Sequence, residues 1–362
     1  MQVTIVGLPG SGKTTVFNAL TGGHAETGGF SGSRAAPNVG VVKVPDERVD
    51  RLAALFNPKK TTYADVTYVD VAIPAGATRE GTVSPDVLAL VRNADALLHV
   101  ARAFDDPALG GPADPWRDVD ELDLEFTVAD LSVVEKRLEK LTTQGRHGSQ
   151  AERDAAAREE ELLHRLEPHL SKGRPLRSFG LTDDEELLVR GYRFLTQKPV
   201  LVVLNIDEAR LPEAGALEAA GRARYAQPQT DVAALAGKIE AELGELSEED
   251  ARLFMDDLGI AEPSRGRIIR LTYDLLGLFS FFTVGEDECR AWTLRRGATA
   301  VDAAGAIHSD LARGFIRAEV IGWEELIEAG SEAAAKRQGL VRTEGRKYEL
   351  QDGDTVNVLF NV

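Results

Sequence analysis

The sequence predicts an α/β fold, a doubly wound and mostly parallel sheet that is interrupted by a helical hairpin and followed by a smaller α+β segment. Three observations lead to this prediction. Short apolar runs rich in β-branched residues alternate with helical patterns over residues 1–105 and 197–278. Leucine and valine recur at steps of three and four between residues 121 and 170. Short strand and helix patterns mix from residue 279 to residue 362.

The first elements are a buried strand at 2–7, a glycine-rich turn and a helix whose stop signal is Gly22. Val16 and Leu20 give that helix its spacing of apolar positions. Residues 22–37 are rich in Gly, Ser and Ala and predict a loop. Further strands are predicted at 38–44, 66–72, 96–103 and 199–206, and the unbroken apolar run of the last suits the centre of a parallel sheet.

A helical hairpin is predicted between residues 121 and 170, with its tip near 145–149. Its apolar positions are Leu131, Val134, Leu138, Leu141, Leu163, Leu166 and Leu170, with charged residues between them. The strand at 199 still belongs to the sheet, so an antiparallel coiled coil over 106–196 interrupts the first domain. Beyond residue 279, strands are predicted at 279–285, 290–294, 315–320 and 355–362, and helices near 299–307 and 323–337.

The composition restricts the class of protein. A net charge of −17 argues against DNA binding through bulk electrostatics. The only cysteine is Cys289, which excludes an intrachain disulfide. The sequence has no apolar run long enough for a membrane span, and its N-terminus does not resemble a signal peptide. These features predict a cytoplasmic protein.

Residues 7–14 read GLPGSGKT, which matches the GxxxxGK[ST] pattern of a P-loop. The glycines let backbone N–H groups turn towards phosphate oxygens. Lys13 would reach the β- and γ-phosphates, and the Thr14 hydroxyl would bind Mg²⁺, so these two are the expected catalytic residues. The alternative is a glycine-rich turn with an exposed lysine. The expected phosphate-binding residues are Gly7, Pro9, Gly10, Ser11, Gly12, Lys13, Thr14 and Thr15.

Asp70 ends the apolar run VTYVD (66–70) of the strand predicted at 66–72. A carboxylate at the carboxyl end of a strand beside the P-loop strand can hold Mg²⁺ directly or through water. Aspartates also end strands as solvated turn residues, which is the competing interpretation. With the P-loop present, Thr14 and Asp70 are the expected metal ligands.

The sequence Asn205-Ile206-Asp207-Glu208 follows the strand at 199–206. GTPases carry NKxD at this place, and its Asp accepts two hydrogen bonds from guanine. Glu208 stands where that Asp would be, and Ile206 where the Lys would be, so ATP is expected in preference to GTP. The alternative is an ordinary turn between a strand and a helix. The expected base-binding residues are Asn205, Ile206, Glu208, Ala236, Gly237 and Lys238.

The sequence contains no candidate metal site other than the one for Mg²⁺. It contains no Ser–His–Asp or Cys–His combination that suggests nucleophilic catalysis. His164 and His169 are expected to lie on different faces of one helix as solvated residues. His99 lies in a predicted strand and is expected to be a packed core histidine.

The chain resembles the YchF (Obg-like ATPase) family of P-loop proteins over essentially all of its 362 residues. The matching strings include GLPGSGKTT, the run at 37–56, the run at 180–208, and the C-terminal runs at 285–320 and 328–362. The resemblance implies a nucleotide domain, an inserted coiled coil and a ubiquitin-like TGS domain at 279–362. It also implies ATP binding through Asn205 and Glu208, slow hydrolysis, and association with ribosomes or ribosomal RNA.

Four positions depart from the pattern of that family. Gly10 replaces an asparagine that related proteins use to hold K⁺, and Arg34 replaces a threonine that ligates Mg²⁺. The segment DVAIPAG (70–76) lacks the glycine after Ala72 that senses the γ-phosphate, and residues 107–115 lack the histidine of the family's flexible loop. We therefore expect hydrolysis that is slower than is usual for the family and insensitive to K⁺, unless Arg34 takes over as a cation.

Three functions compete on the sequence. The first is a weak ATPase that acts as a nucleotide-controlled translation factor. The second is an ATP-binding adaptor on the ribosome without useful turnover. The third is a small-molecule kinase, which needs a lid with paired arginines near the phosphates. No such pair is convincingly placed in the sequence, and the TGS-like tail argues against a kinase.

Overall fold

The computed structural model describes residues 1–23, 25, 37–71, 83–109, 111–144, 149–260 and 262–361. The chain forms two compact units, one of Met1–Gly40 with Thr67–Arg265, the other of Val41–Val66 with Gly266–Val362. The strands are β1 (Gln2–Val6), β2 (Asn38–Lys43), β3 (Lys60–Thr62), β4 (Asp65–Asp70), β5 (Ala96–Ala103), β6 (Val200–Ile206), β7 (Thr230–Leu235), β8 (Leu278–Thr283), β9 (Glu288–Arg295), β10 (Phe315–Gly322), β11 (Arg342–Glu344) and β12 (Asp354–Phe360).

The helices of the first unit are α1 (Lys13–Thr21), α3 (Pro85–Arg92), α4 (Pro115–Gln144), α5 (Gln150–Leu170), α6 (Asp183–Val189), α7 (Ala214–Arg224), α8 (Gly237–Leu243) and α9 (Glu248–Leu258). Those with all or most of their residues in the second unit are α2 (Glu47–Phe56), α10 (Ser264–Leu275), α11 (Ala300–Ile307), α12 (Ser309–Arg313), α13 (Trp323–Ala329) and α14 (Glu332–Arg337). No helix within the described ranges is both long and apolar enough to cross a membrane.

The sheet of the first unit has the order β2-β4-β1-β5-β6-β7. β1 pairs in parallel with β4 and β5, and β6 pairs in parallel with β5 and β7. The predicted α/β class and the five predicted strands are confirmed, each to within two residues of its bounds. β7 was not predicted, because its sequence TDVAAL has few of the β-branched and aromatic residues that mark a strand.

Helix α1 follows the P-loop and ends where the sequence predicts. Gly22 caps it in the left-handed conformation, with φ of 65°, and donates its N–H to the Asn18 carbonyl. Val16 and Leu20 are buried. The first turn of α1 follows Gly12 directly, so its free backbone N–H groups lie at the end of the P-loop.

The hairpin helices α4 and α5 pack against one another, as predicted, through an apolar cluster that includes Val134, Leu138, Leu163 and Leu166. An ion pair between Arg137 and Glu159, 2.7 Å long, joins the two helices. The predicted tip at 145–149 lies almost entirely outside the described residues.

The predicted start of the hairpin near residue 121 was wrong, because α4 begins at Pro115. The Asp114 side chain accepts a hydrogen bond from the Arg117 N–H, and proline suits the first position of a helix. The first turns of α4 bury Val119, Leu122 and Phe126 against the parallel sheet. The single helix α4 thus packs on the parallel sheet at one end and on α5 at the other.

The second unit contains a sheet with the order β11-β10-β12-β8-β9-β3. The strands predicted after residue 279 are confirmed, but the helix predicted at 323–337 divides into α13 and α14 at Gly330, which has φ of 76°. Residues 41–66 belong to this unit, since β3 pairs in parallel with β9 and the Arg48 guanidinium lies 5.1 Å from the Phe282 ring. Neither β3 nor β11 was predicted.

Candidate functional site

The P-loop occupies residues 7–14, between the end of β1 and the start of α1. Gly7 and Gly12 have φ of 154° and 85°. A Cβ on Gly7 would lie 2.3 Å from the Val100 carbonyl oxygen, and one on Gly12 would lie 2.2 Å from Nδ2 of Asn205. Only glycine fits at either place, because the backbone passes so close to neighbouring strands. This is the tight turn that a phosphate cradle requires.

Lys13 is buried, with 8% of the residue exposed. Its Nζ donates hydrogen bonds to the carbonyl oxygens of Gly7 and Leu8, each at 3.0 Å. Burial lowers the pKa of Lys13 to about 8, although the charge of Asp70 acts in the opposite direction. The structure therefore holds a positive charge under the loop at a cost in solvation, which an anionic ligand would offset.

Thr14 and Asp70 lie together, as the sequence predicts. The Thr14 hydroxyl donates to Oδ2 of Asp70 at 2.9 Å, and the Asn38 side-chain amide donates to the same oxygen at 3.3 Å. The other oxygen, Oδ1 of Asp70, is buried and accepts no hydrogen bond from the described residues. A hydroxyl beside a carboxylate with a spare buried oxygen is a donor set that fits Mg²⁺. Asn38 was missed by the sequence reasoning.

Asn205 lies at the end of β6 and is buried. Its Nδ2 donates to the Ser11 carbonyl at 3.0 Å, and its Oδ1 accepts from the Gly237 N–H at 3.1 Å. This one side chain therefore fastens the P-loop to the start of α8. Both of its polar atoms are used in doing so.

The other expected base-binding residues differ in burial and in their contacts. Ile206 is buried in the apolar core between the sheet and α4. Glu208 is exposed at the start of a short 3-10 helix, Glu208–Glu213, which Asp207 caps through the Arg210 N–H at 3.2 Å. Ala236 is buried, while the Lys238 side chain is 88% exposed.

The remaining P-loop residues differ in exposure. Ser11 is buried, and its hydroxyl has no hydrogen-bond partner among the described residues. Pro9 and Thr15 are half-buried, and Gly10 is exposed with φ of 81°. A Cβ on Gly10 would lie 2.8 Å from both methyl carbons of Leu109. Leu109 therefore lies over the position that an asparagine side chain would occupy, a contact that no sequence signal indicates.

The segment after β5 is fixed at several points. The Arg102 guanidinium donates to the carbonyl oxygens of Gly111 and Pro112 at 3.4 Å. Oδ1 of Asp106 accepts from the Ala108 N–H at 2.9 Å. These contacts hold the turn Pro107–Leu109 near the P-loop. Arg34 and residues 72–76, where the sequence departs from the YchF pattern, lie outside the described residues.

The histidines carry no metal site in the described part of the chain, where no group of three potential metal-ligating residues was found. His99 is buried as predicted, and burial lowers its pKa to about 4. His164 is exposed as predicted, with 59% of its side chain accessible. His169 is different, since it is half-buried and its Nε2 lies 3.1 Å from the Pro175 carbonyl oxygen.

Comparison with known proteins agrees with this architecture. A family model described as "50S ribosome-binding GTPase" matches residues 2–141. A second one, YchF-GTPase_C, described as "Protein of unknown function (DUF933)", matches residues 278–361. Both matches fall on regions with the predicted fold.

Similarity to individual proteins extends over the whole chain. The Bacillus subtilis protein named ribosome-binding ATPase YchF is 40% identical over 364 residues, which cover 99% of this chain and 98% of that protein. The Haemophilus ducreyi protein of the same name is 38% identical with the same coverage. The structure of a Schizosaccharomyces pombe YchF GTPase is 29% identical and superposes with a TM-score of 0.86, covering 99% of this chain and 97% of that one.

Identity at this level over the full length of both chains is accompanied by a shared fold and a complete P-loop. The helical hairpin and the C-terminal sheet occur in the order that the sequence resemblance implies. The chain belongs to the YchF family of P-loop proteins.

Proposed function

We propose that this protein binds ATP with Mg²⁺, hydrolyses it slowly, and works in association with ribosomes. The observation that carries the proposal is the buried Lys13, whose ammonium lies among P-loop carbonyls beside the Thr14–Asp70 pair. The names of the relatives support an ATPase that meets the ribosome. The same names support our expectation of a cytoplasmic location.

The chain's own residues account for binding of the triphosphate. Backbone N–H groups of residues 7–14 and the first turn of α1 would bind the phosphates, and Lys13 would supply positive charge for the β- and γ-phosphates. Asn205 keeps the P-loop and the start of α8 at a fixed spacing. Thr14 and Asp70 would hold Mg²⁺, which neutralises charge on the transferring phosphoryl group when it is bound.

We further propose that the chain is organised as three functional domains. These are the nucleotide domain (1–105 and 197–278), the helical insertion (106–196) and a TGS domain (279–362). Apolar clusters centred on the parallel sheet, on the hairpin and on the C-terminal sheet support the division, although the first turns of α4 pack in the first of these clusters. Residues 41–66 belong to the nucleotide domain in sequence, although they pack in the second compact unit.

The test is a phosphate-release assay on the purified chain, with and without ribosomes. We expect slow ATP turnover that ribosomes change by several-fold, and co-sedimentation of the protein with ribosomes. ATP binding without any release of phosphate under either condition would support the adaptor function instead. Absence of both ATP binding and ribosome binding would contradict the proposal.

We expect ATP to bind more tightly than GTP. Glu208 stands where guanine-specific proteins have an aspartate, and losing a bidentate contact to guanine costs about 1–3 kcal/mol. Calorimetric titration with the two nucleotides measures the difference. Glu208→Asp should narrow it, whereas Glu249→Asp, on the exposed face of α9, should leave it unchanged. Tighter binding of GTP by the unaltered protein would refute the prediction.

Asp70→Ala should weaken ATP binding mainly when Mg²⁺ is present. Asp70 would act on the phosphates through the metal, while its oxygen Oδ1 has no partner in the described chain. Affinity is measured in Mg²⁺ and in EDTA. The matched control is Asp65→Ala, since Asp65 is exposed at the opposite end of the same strand. Equal losses in Mg²⁺ and in EDTA would make Asp70 a structural residue.

Steady-state hydrolysis should be slower than is usual for the family and proceed at the same rate in KCl and in NaCl. Gly10 has no side chain to hold K⁺, and Leu109 lies over it. The described part of residues 107–115 contains no histidine that could orient water. An Arg34→Ala variant tested in parallel measures whether that arginine supplies the missing charge. Stimulation of several-fold by K⁺ would refute the prediction, and a sharp loss in Arg34→Ala would assign the role to Arg34.

A further inference from the structure

Strand β12 lies inside the second sheet but has a neighbour along its whole length on one side only. It pairs with β10 from Asp354 to Phe360. On the other side it pairs with β8 at Thr355 alone, opposite Phe282, and β8 ends at Thr283. No strand in the described ranges pairs with residues 356–360 on that side. The backbone groups of this segment that face the gap are therefore available to an added strand.

The exposure of the same segment is unusual for an internal strand. Leu359 and Phe360 are 37% and 45% exposed, whereas Thr355 and Val356 are buried. Asn357 is also exposed, which leaves only the first half of the strand covered on both faces. Apolar side chains that are exposed beside an unpaired strand edge mark a place where another chain can add.

A cavity of about 390 Å³ lies against this edge. This volume is at the lower end of the range of about 300–1,000 Å³ that ligand sites occupy. Its apolar walls come from α11, from α12, from the residue before β11 and from β12 itself, and include Ile307, Leu311, Val341, Val356, Val358 and Phe360. The cavity therefore offers apolar space beside a free backbone edge, which suits alternate side chains of an extended peptide.

The polar part of the cavity wall carries a net negative charge. Glu319 accepts hydrogen bonds from the Lys336 ammonium and from the Asn357 amide, each at 2.9 Å. Lys336 thus neutralises Glu319, and Glu332 on the same wall adds a second carboxylate. Two carboxylates and one ammonium favour a basic side chain in the occupant and disfavour the phosphates of a nucleic acid.

The cavity and the unpaired side of residues 356–360 of β12 together form a groove. We propose that this groove binds an extended segment of a partner protein, which adds as a strand to residues 356–360. Alternate apolar side chains of the segment enter the cavity, and a basic side chain meets the wall at Glu319 and Glu332. The residues of the site all belong to the second unit, and the proposal goes beyond the proposed function.

The test uses the full chain and a fluorescent six-residue peptide that alternates valine and lysine. Two control peptides accompany it: one has N-methylated amides at alternate positions and cannot form a ladder, and the other has glutamate in place of lysine. Anisotropy measures affinity, and hydrogen exchange measures protection of residues 356–360. We expect saturable binding and new protection of those amides. Each control peptide should lose at least about tenfold in affinity, which is the effect of removing one principal contact.

Phe360→Ser should weaken binding of the peptide by a similar factor. Phe360 is half exposed at the end of the strand, so the substitution leaves the core intact. Leu253→Ser is the matched control, because Leu253 is 64% exposed on α9 in the first unit. Equal binding of the N-methylated peptide, or absent protection at 356–360, would overturn strand addition. Equal or tighter binding of the glutamate peptide would overturn the charge assignment. A dimer in sedimentation that Phe360→Ser abolishes would overturn the proposal in favour of self-association.

Discussion

Lys13→Met is expected to abolish ATP binding and, at the same time, to make the nucleotide-free protein more stable. The Lys13 ammonium is buried beneath the P-loop, with backbone carbonyls of Gly7 and Leu8 as its hydrogen-bond partners. Methionine has a similar length and no charge, so it removes the phosphate contact and the cost of desolvating the ammonium together. A residue that stabilises the complex and destabilises the free protein is a common property of functional sites.

The sign and size of the stability change follow from the pKa. Burial lowers the pKa of Lys13 from 10.5 to about 8, so the folded state disfavours the charged form. At pH 7 this corresponds to at most roughly 3 kcal/mol against folding. The Gly7 and Leu8 carbonyls lose a donor in the variant, which costs about 1 kcal/mol each at the low end of the usual range, so we expect a net gain of about 1 kcal/mol.

The same pKa predicts how stability and affinity depend on pH. Between pH 8 and 10.5 the unfolded chain keeps the proton that the folded chain releases, so the stability of the nucleotide-free protein rises in this window. ATP binding needs the ammonium, so affinity should fall as the pH rises above about 8. Lys13→Met should lose this pH dependence of stability.

Thermal unfolding without nucleotide and calorimetry with ATP, both from pH 7 to 10, measure these effects. Lys172→Met is the matched control, since Lys172 is exposed beyond the end of α5. It should alter neither quantity. Loss of stability in Lys13→Met would show that the two hydrogen bonds outweigh desolvation. Affinity that stays constant to pH 10 would contradict the assigned pKa.

The sequence predicted the phosphate site well because the P-loop is a local motif. Its glycines, its lysine and the following helix depend on backbone geometry within a few residues. The carboxyl end of β4 could also be predicted, since parallel strands place such ends at one edge of the sheet. Thr14 and Asp70 accordingly lie within hydrogen-bonding distance.

Contacts between distant parts of the chain were beyond the reach of sequence patterns. Leu109 over Gly10 depends on how the segment after β5 folds back, which Arg102 fixes through backbone carbonyls. The start of α4 at Pro115 was missed because its first turns follow the sheet core and not the leucine spacing of the hairpin. The pairing of β3 with β9 joins residues more than 200 positions apart and has no local signal.

Asn205→Ala is expected to weaken the binding of inorganic tripolyphosphate as well as the binding of ATP. A residue that touches only the base would affect ATP alone, since tripolyphosphate has no base. Asn205, however, donates to the Ser11 carbonyl in the P-loop and accepts from the Gly237 N–H. Alanine leaves both buried groups without a partner, at about 1–3 kcal/mol each. Losses of about 10- to 100-fold in affinity should follow for both ligands.

Two further variants separate positioning from base contact. Asn205→Asp keeps an oxygen for the Gly237 N–H but places a second carboxylate oxygen against the Ser11 carbonyl oxygen, so its affinity for tripolyphosphate should fall at least as far as that of Asn205→Ala. Glu208→Ala should weaken binding of ATP while leaving binding of tripolyphosphate unchanged, because Glu208 is exposed and forms no hydrogen bond or ion pair with the P-loop among the described residues. Calorimetry with both ligands, beside thermal unfolding of each variant, measures the pattern. Unchanged binding of tripolyphosphate by Asn205→Ala would show that the P-loop holds its shape without this link, and Asn205 would then act on the base alone.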